Sequence, residues 1–308
     1  MKKLLTTLII ATMILTIVTA CTARKGSTST PLTSSTTTST TSMPTSSAPT
    51  TSIPPATSSS TSIKPTFSTD FTEIGALSND QVNWGPGSTS DFKRPSGPVG
   101  LQAKYKNYYA DFIAPDEKTI YLTFDNGYEY KNITANILDT LKEKNVKAVF
   151  FITGDYAKTQ KELVRRMIDE GHIVGNHSWK HKNTTTLTLE EAQNDILENH
   201  NYVKENYNYD MTLLRFPEGA FSERSLALAQ SMGYRSVFWS FAYKDWLTDA
   251  QPDKKTAFDK ITRSIHPGEI MLLHAVSQTN ADILGDVIDY VRSQGYEFGV
   301  YNFTGEIQ

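Results

Sequence analysis

Hydrophobic positions in the C-terminal two-thirds of the chain follow two alternating patterns. Short apolar runs rich in β-branched and aromatic residues, such as residues 148–152, are typical of strands buried on both faces of a parallel sheet. Between these runs, apolar residues recur every three or four positions, as at Ile133, Ile137, Leu138 and Leu141, which is the spacing of one helix face. The alternation predicts strands that are each followed by a helix.

About seven strands, separated by helices, are predicted in this way. The strands are predicted at 119–125, 147–153, 172–176, 211–216, 235–241, 269–274 and 296–301, and the helices at 133–144, 158–170, 188–206, 222–232, 254–265 and 279–294. This order is typical of parallel α/β proteins. We therefore expect a distorted (β/α) barrel of about seven parallel strands, in a domain that spans residues 119–308.

The first residues have the pattern of an export signal. Lys2 and Lys3 precede the apolar stretch 4–18, and small residues then lead to Cys21. This stretch is similar to the lipobox of bacterial lipoproteins, which implies a signal segment at 1–21, cleavage before Cys21 and a lipid on its sulfur. The protein would then be exported and anchored to the outer face of the cell membrane. An ordinary signal peptide or an uncleaved anchor is the alternative.

Two further segments precede the predicted barrel. Residues 22–70 are rich in Ser, Thr and Pro and carry no charge between Lys25 and Lys64. Such a segment cannot bury enough apolar surface to offset the entropy of ordering, so we expect a disordered linker. Residues 71–118 are expected to form an extension that packs on the barrel. Its aromatic residues would cover the core, or alternatively line a groove: Tyr105, Tyr108, Tyr109 and Phe112.

Composition narrows the classes of partner. The formal net charge of the 308-residue chain is −3, which gives no electrostatic support for a nucleic-acid partner. Cys21 is the only cysteine, so no disulfide can form within the chain. After residue 18, no apolar run is long enough to span a bilayer. We expect a monomer whose fold is held together by its core.

Polar residues that can carry chemistry follow the ends of several predicted strands. They are Asp125, His177, Arg215, Asp245 and His274. The carboxyl ends of parallel strands meet at one end of a barrel, where the active sites of such folds lie. We therefore expect these side chains to converge, although the Asp-Asn-Gly sequence at 125–127 is by itself also a common turn.

Two histidines have the spacing of metal ligands. His177 and His181 lie four residues apart, which on a helical turn would place both imidazoles on one face. An arginine such as Arg215 can hold a carboxylate through a bidentate bond, and Asp245 can orient Arg215 or a histidine. The other histidines are interpreted as structural or solvated residues: His172, His200 and His266.

The order of these residues resembles the five motifs of the polysaccharide deacetylases, the family 4 carbohydrate esterases. The motifs stand here as Thr-Phe-Asp-Asn-Gly at 123–127, His-x-x-x-His at 177–181, Arg-x-Pro-x-Gly at 215–219, Asp-Trp at 245–246 and Leu-x-His at 272–274. The resemblance covers about residues 118–303. Within the family, the chain is similar to the δ-lactam-biosynthetic de-N-acetylases at 123–129, 221–226 and 237–240. Those enzymes deacetylate N-acetylmuramic acid in peptidoglycan.

This resemblance implies an enzyme that hydrolyses the N-acetyl group of amino sugars in peptidoglycan strands, with muramic acid as the leading target. It implies Asp125 as the general base that activates water and His274 as the general acid that protonates the departing amine. Arg215 would hold Asp125 ionised and in place. Asp245 would tune Arg215 or His274.

The resemblance also implies a metal site and a substrate site. His177 and His181 would hold a divalent metal, Zn²⁺ or else Co²⁺ or Mn²⁺, that polarises the amide carbonyl. The family usually has an aspartate ligand where Asn126 stands, and a neutral amide oxygen binds Zn²⁺ less well, so we expect a weakened site. The residues implied in oxyanion or substrate contacts are Glu218, Gly219 and Trp246.

Three other functions compete with this interpretation. The first is deacetylation of N-acetylglucosamine in peptidoglycan or in poly-N-acetylglucosamine. The second is a glycan-binding module without catalysis, which Asn126 favours and the intact Asp125, Arg215 and His274 oppose. The third is a glycosidase that uses Asp125 with a second carboxylate, in which a histidine pair at 177–181 would have no role.

Overall fold

Strands and helices alternate through residues 70–302, the part of the chain that the computed structural model describes. These residues fall within one compact unit at 59–308. The predicted signal segment with Cys21, and residues 22–69 of the predicted linker, lie outside the described residues. Within the described range, no helix is both long enough and apolar enough to cross a membrane.

Ten strands and nine α-helices are found in this range. The strands are β1 (Val82–Asn83), β2 (Ala110–Asp111), β3 (Thr119–Asn126), β4 (Val149–Ile152), β5 (Ile173–Asn176), β6 (Leu213–Leu214), β7 (Ala220–Phe221), β8 (Arg235–Val237), β9 (Glu269–His274) and β10 (Glu297–Phe298). The helices are α1 (Thr72–Gly75), α2 (Ser96–Tyr105), α3 (Ile133–Glu143), α4 (Gly154–Thr159), α5 (Lys161–Asp169), α6 (Leu189–Tyr207), α7 (Glu223–Ser231), α8 (Lys254–Arg263) and α9 (Gln278–Ser293).

Eight of these strands form one curled sheet in which every pairing is parallel. The order is β10-β3-β4-β5-β6-β8-β2, and β9 also pairs with β3. The segment after β8 meets β9 through a bridge between Phe241 and Met271, so the sheet curls towards closure. The expected distorted (β/α) barrel is confirmed. Its seven predicted strands are β3, β4, β5, β6, β8, β9 and β10, and β2 is an eighth that the sequence patterns did not indicate.

Two kinds of boundary differ from the predictions. The single helix predicted at 158–170 is two helices, α4 and α5, which meet at Gln160 with φ −113° and ψ 46°. The first of them begins earlier than predicted, because the Thr153 side chain caps it by accepting the Tyr156 N–H at 3.3 Å. The strands β6, β8 and β10 are shorter than predicted, since the chain leaves the sheet soon after entering it.

The core positions the ends of β3 and β9 side by side. Phe124 and Phe150 are fully buried and stacked, with ring centroids 5.1 Å apart. The parallel register sets Asp125 of β3 opposite His274 of β9 on one side and Phe151 of β4 on the other. The sheet therefore brings a carboxylate and an imidazole together, although about 150 residues separate them in the sequence.

The segment before β3 belongs to the same packed unit. β2 pairs with β8, and Arg235 Nη1 donates to both carboxylate oxygens of Asp111 at 2.9 and 3.1 Å. The Tyr301 hydroxyl donates to the same carboxylate. Phe112 is fully buried and stacks on Phe238 with ring centroids 4.3 Å apart. The extension thus supplies a strand and core residues to the barrel.

Candidate active site

Asp125 and Arg215 form a buried ion pair at the carboxyl end of the sheet. The Arg215 Nη1 donates to Asp125 Oδ1 and to Thr123 Oγ1, each at 2.8 Å. Its Nε and Nη2 donate to the carbonyl oxygens of Val237 and Phe238, each at 2.9 Å. Four bonds therefore fix a guanidinium that is fully buried.

The charges around Asp125 keep its carboxylate ionised. Burial by itself would raise the pKa of Asp125, but nearby positive charge, chiefly that of Arg215, outweighs burial and holds the pKa below its ordinary value. Removing one partner of such a pair leaves an uncompensated buried charge, which costs about 3–5 kcal/mol. The pair therefore maintains a carboxylate that can accept a proton at neutral pH.

A second carboxylate, Asp245, holds His274. The His274 ring lies with Nδ1 at 2.7 Å from Asp245 Oδ1, and the His274 backbone N–H donates to Oδ2 at 2.8 Å. Burial would lower the pKa of His274, but the charge and the hydrogen bond of Asp245 outweigh it and raise the pKa above its ordinary value. Because Nδ1 is engaged by Asp245, Nε2 is the nitrogen left to face the cleft. This imidazole is set up to carry a proton.

His177, in contrast to His274, is held in its neutral form. Its Nδ1 lies 2.8 Å from the Arg215 carbonyl oxygen, which can only accept, so Nδ1 carries the hydrogen and Nε2 keeps its lone pair. Nε2 lies 3.7 Å from Asp125 Oδ2. Burial lowers the pKa of His177 to about 4. The ring is therefore neutral at physiological pH and presents a free nitrogen beside Asp125.

The backbone between the two histidines is not helical, so that part of the sequence prediction was wrong. Ser178 and His181 both adopt left-handed backbone conformations, with φ of 63° and 51°. The His181 N–H donates to Ser178 Oγ at 3.0 Å, and the Ser178 N–H donates to Asn176 Oδ1 at 2.8 Å. This tight turn still brings the imidazoles of His177 and His181 together, with ring centroids 4.8 Å apart.

The histidine pair fits part of the ligand set of a divalent metal. Neutral imidazoles oriented by a carbonyl are common ligands of transition metals. Within residues 70–302, no three His, Cys, Asp or Glu side chains are grouped in a way that could hold a metal ion. His177 and His181 are the residues that would hold such a metal.

Asn126, which we expected as a third ligand, contacts α3. It is not among the described residues that line the cleft. Its Nδ2 lies 3.4 Å from Thr134 Oγ1 of α3, and its Oδ1 is buried with no hydrogen-bond partner within 70–302. Adjacent strand residues point to opposite faces of a sheet, so Asp125 and Asn126 diverge.

The residues expected in oxyanion or substrate contacts lie in the wall of one cleft of about 930 Å³. Glu218 and Gly219 form a turn in which both have left-handed backbones, with φ of 61° and 65°. Trp246 is 46% exposed, and its ring lies 5.3 Å from that of His274. Asp125, His177, His181 and His274 line the same cleft, so most of the residues predicted from sequence converge there.

Other lining residues were not singled out by the sequence as site residues. They include Trp84, Gly85, Pro86, Tyr128, Asp155, Lys180, Trp239, Tyr243 and Lys244. The segment 84–86 belongs to a Trp-Gly-Pro-Gly sequence that indicated only a turn. A tryptophan next to a turn is a weak signal of a binding site, and the pairing of β1 with β7 is what brings Trp84 to the cleft.

Comparison with known proteins agrees with this geometry. The family model for polysaccharide deacetylases matches residues 113–237. The chain is 44% identical over 225 residues to an uncharacterized 30.6 kDa protein of Geobacillus stearothermophilus, which covers 72% of this chain and 84% of that one. It is 42% identical over 225 residues to the peptidoglycan-N-acetylmuramic acid deacetylase PdaA of Bacillus subtilis, covering 72% and 85% of the two chains.

Solved structures agree as well. The structure of Bacillus subtilis PdaA, a family 4 carbohydrate esterase, matches with a TM-score of 0.69 at 41% identity, covering 72% of this chain and 95% of that one. A family 4 carbohydrate esterase from Bacillus anthracis matches with a TM-score of 0.60 at 40% identity, covering 73% and 95%. The resemblance drawn from the five motifs is confirmed: the chain belongs to the polysaccharide deacetylase family.

Proposed function

We propose that this protein hydrolyses the N-acetyl group of peptidoglycan amino sugars, with N-acetylmuramic acid as the target. The observation that carries the proposal is the register that sets Asp125 beside His274, each held by its own charged partner, at the mouth of one cleft. The relatives support the choice of sugar, since PdaA of Bacillus subtilis is named for N-acetylmuramic acid in peptidoglycan.

Asp125 serves as the general base. It accepts a proton from water while the water oxygen attacks the carbonyl carbon of the acetamide, which gives a tetrahedral oxyanion. Arg215 keeps Asp125 ionised but is itself bonded on all sides, so it positions the base and does not contact the substrate. The oxyanion would be stabilised by the backbone N–H near Glu218, a proposal supported by the position of Glu218 in the cleft wall.

His274 serves as the general acid. When the carbon–nitrogen bond breaks, the sugar nitrogen must take a proton to leave as an amine, and the protonated Nε2 of His274 supplies it. Asp245 stabilises the protonated ring and fixes its orientation. The products are acetate and a sugar with a free amino group. Trp246, exposed beside His274, contacts the sugar.

His177 and His181 are the residues that would hold a divalent metal. Such a metal, when bound, polarises the amide carbonyl and stabilises negative charge on its oxygen. The neutral state of His177 and the carbonyl on its Nδ1 support this role. We propose Zn²⁺, with Co²⁺ or Mn²⁺ as alternatives, and a weak site, because Asn126 supplies no carboxylate.

The proposed site of action is the cell wall. The N-terminal sequence supports export, with a lipid on Cys21 and a linker at 22–70 that carries the domain away from the membrane. The peptidoglycan relatives support a substrate outside the cell. Fractionation of cells that produce a Cys21→Ala variant tests this part of the proposal. The variant should lose its association with the membrane.

Mass spectrometry of digested peptidoglycan tests the reaction. Purified peptidoglycan is treated with the full chain, with and without added Zn²⁺, Co²⁺ or Mn²⁺. The proposal predicts muramic acid residues that have lost one acetyl group. Loss of acetyl from glucosamine with intact muramic acid would instead favour N-acetylglucosamine deacetylation, the activity for which the relative PgdA of Listeria monocytogenes is named. PgdA is 35% identical over 185 residues, and the match covers 38% of its length. New reducing ends without loss of acetyl would overturn both.

A further inference from the structure

The segment that precedes the family-matched region forms one wall of the cleft. β1 pairs antiparallel with β7, with Val82 opposite Phe221 and Asn83 opposite Ala220. The pairing continues one residue further, where the Trp84 N–H donates to the Gly219 carbonyl oxygen at 3.0 Å. The N-terminal segment is therefore fastened by its main chain to the turn that lies next to the reacting groups.

The Trp84 side chain is fixed from two sides. Its indole Nε1–H donates to the Trp239 carbonyl oxygen at 3.0 Å. Its ring meets Phe112 edge to face, with centroids 5.1 Å apart. Trp239 in turn lies against Arg215, whose guanidinium carbon is 5.5 Å from the ring centroid. One intervening residue thus separates Trp84 from the arginine that holds Asp125.

Trp84 still presents surface to the cleft. It is half-buried, and it lines the cleft together with Gly85 and Pro86. The cleft of about 930 Å³ lies near the upper end of the range of about 300–1,000 Å³ typical of small-molecule sites, which is more room than one sugar ring needs. An indole face beside a proline ring offers rigid apolar surface, which suits the C–H face of a pyranose.

We propose that residues 84–86 form a subsite for a second sugar residue, adjacent along the glycan strand to the one that loses its acetyl group. The inference rests on the proposed function for the identity of the strand. Trp84 is then a specificity-determining residue that makes the enzyme act on chains in preference to single sugars. Its contact with Phe112 and its hydrogen bond to Trp239 together hold the indole in position as a stacking surface.

Kinetics on substrates of two lengths test this subsite. The full chain and its Trp84→Ala and Trp84→Phe variants are compared on N-acetylmuramic acid and on a peptide-free tetrasaccharide of alternating N-acetylglucosamine and N-acetylmuramic acid. We expect Trp84→Ala to raise KM for the tetrasaccharide by roughly tenfold or more with kcat little changed, and to leave the monosaccharide unaffected. Trp84→Phe, which keeps an aromatic face but loses the N–H, should retain most of the preference.

Two comparisons separate the subsite from a purely structural role. Phe92→Ala removes another exposed aromatic residue of the same segment, one that stacks on Tyr296 and does not line the cleft, and it should not change the preference for the longer substrate. Thermal unfolding verifies that each variant is folded. Equal losses on both substrates, or equal losses in Trp84→Ala and Trp84→Phe, would mean that Trp84 only braces Trp239 and would overturn the subsite.

Failure of the proposed function has a different signature. If the wild-type chain releases no acetate from either substrate, the same variants are titrated with the same two sugars by calorimetry. A tetrasaccharide that binds at least about tenfold more tightly than the monosaccharide, and loses this advantage in Trp84→Ala, would support the subsite without the activity. Equal affinity of the wild-type chain for the two sugars would overturn the subsite.

Discussion

Replacing Asp245 by asparagine tests how the general acid is held. Asp245 is 1% exposed, and its two oxygens accept hydrogen bonds from the His274 backbone N–H and from Asn280 Nδ2, at 2.8 and 2.6 Å, and contact His274 Nδ1 at 2.7 Å. An asparagine has one oxygen and one NH₂ group. The NH₂ group must therefore either meet another donor or force Nδ1 of His274 to give up its hydrogen, and the charge is lost in every orientation.

The expected effect follows from the bond that is lost. A hydrogen bond to a charged group contributes about 1.5–3 kcal/mol. Each 1.36 kcal/mol of transition-state stabilisation is a factor of ten in rate, so kcat/KM should fall roughly 10- to 150-fold. The sign of the pH effect is also fixed. Without the charge that raises the pKa of His274, burial lowers this pKa, and the protonated acid is lost at a lower pH than in the wild type.

The assay is acetate release as a function of pH for the wild type and for Asp245→Asn. We expect the alkaline limb of kcat/KM to move to lower pH in the variant. Asp249→Asn is the matched control, since it removes an exposed carboxylate from the same loop and should leave the profile unchanged. If Asp245→Asn had an unchanged alkaline limb and an unchanged kcat/KM, His274 would not be the acid that Asp245 positions.

Three further substitutions have defined outcomes. His177→Ala should weaken Zn²⁺ binding at least about tenfold by calorimetry, and unchanged affinity would exclude the histidine pair as ligands. Gly219→Ala should lower Tm, because its Cβ would lie 2.7 Å from the Trp239 ring at a φ of 65°; an unchanged Tm would contradict this packing. Burial raises the pKa of Glu269 well above its ordinary value, so the stability that protonated Glu269 contributes is fully present below about pH 4.3 and is lost as the pH rises. Glu269→Gln should therefore flatten the decline of Tm with pH. An identical slope of Tm against pH in the variant and the wild type would refute this.

The order of the elements could be predicted because each strand and helix has its own local pattern. The strand that ends at Asp125 and the strand that ends at His274 were located to within a residue. Their pairing follows from the general rule that carboxyl ends of parallel strands meet. The alternation of strands with helices likewise indicated the barrel, since that order leaves few topologies open.

Contacts that depend on irregular backbone could not be predicted. The closeness of His177 and His181 was expected from helical spacing, yet a turn with two left-handed residues produces it. Asn126 was expected at the metal from the family resemblance, and the structure instead shows its Nδ2 3.4 Å from Thr134 Oγ1. Trp84 reaches the cleft through a two-residue strand, which is too short to leave a periodic signal.

The central claim is that Asp125 and His274 act together on one acetamide bond. The most direct measurement is kcat/KM for acetate release by the wild type, Asp125→Asn, His274→Ala and the double variant, with folding verified for each by thermal unfolding. Residues that act as a unit give strongly non-additive losses. We predict that the double variant is no more than about threefold slower than the slower single variant. Losses that multiply in the double variant, or a single variant with wild-type activity, would contradict the account.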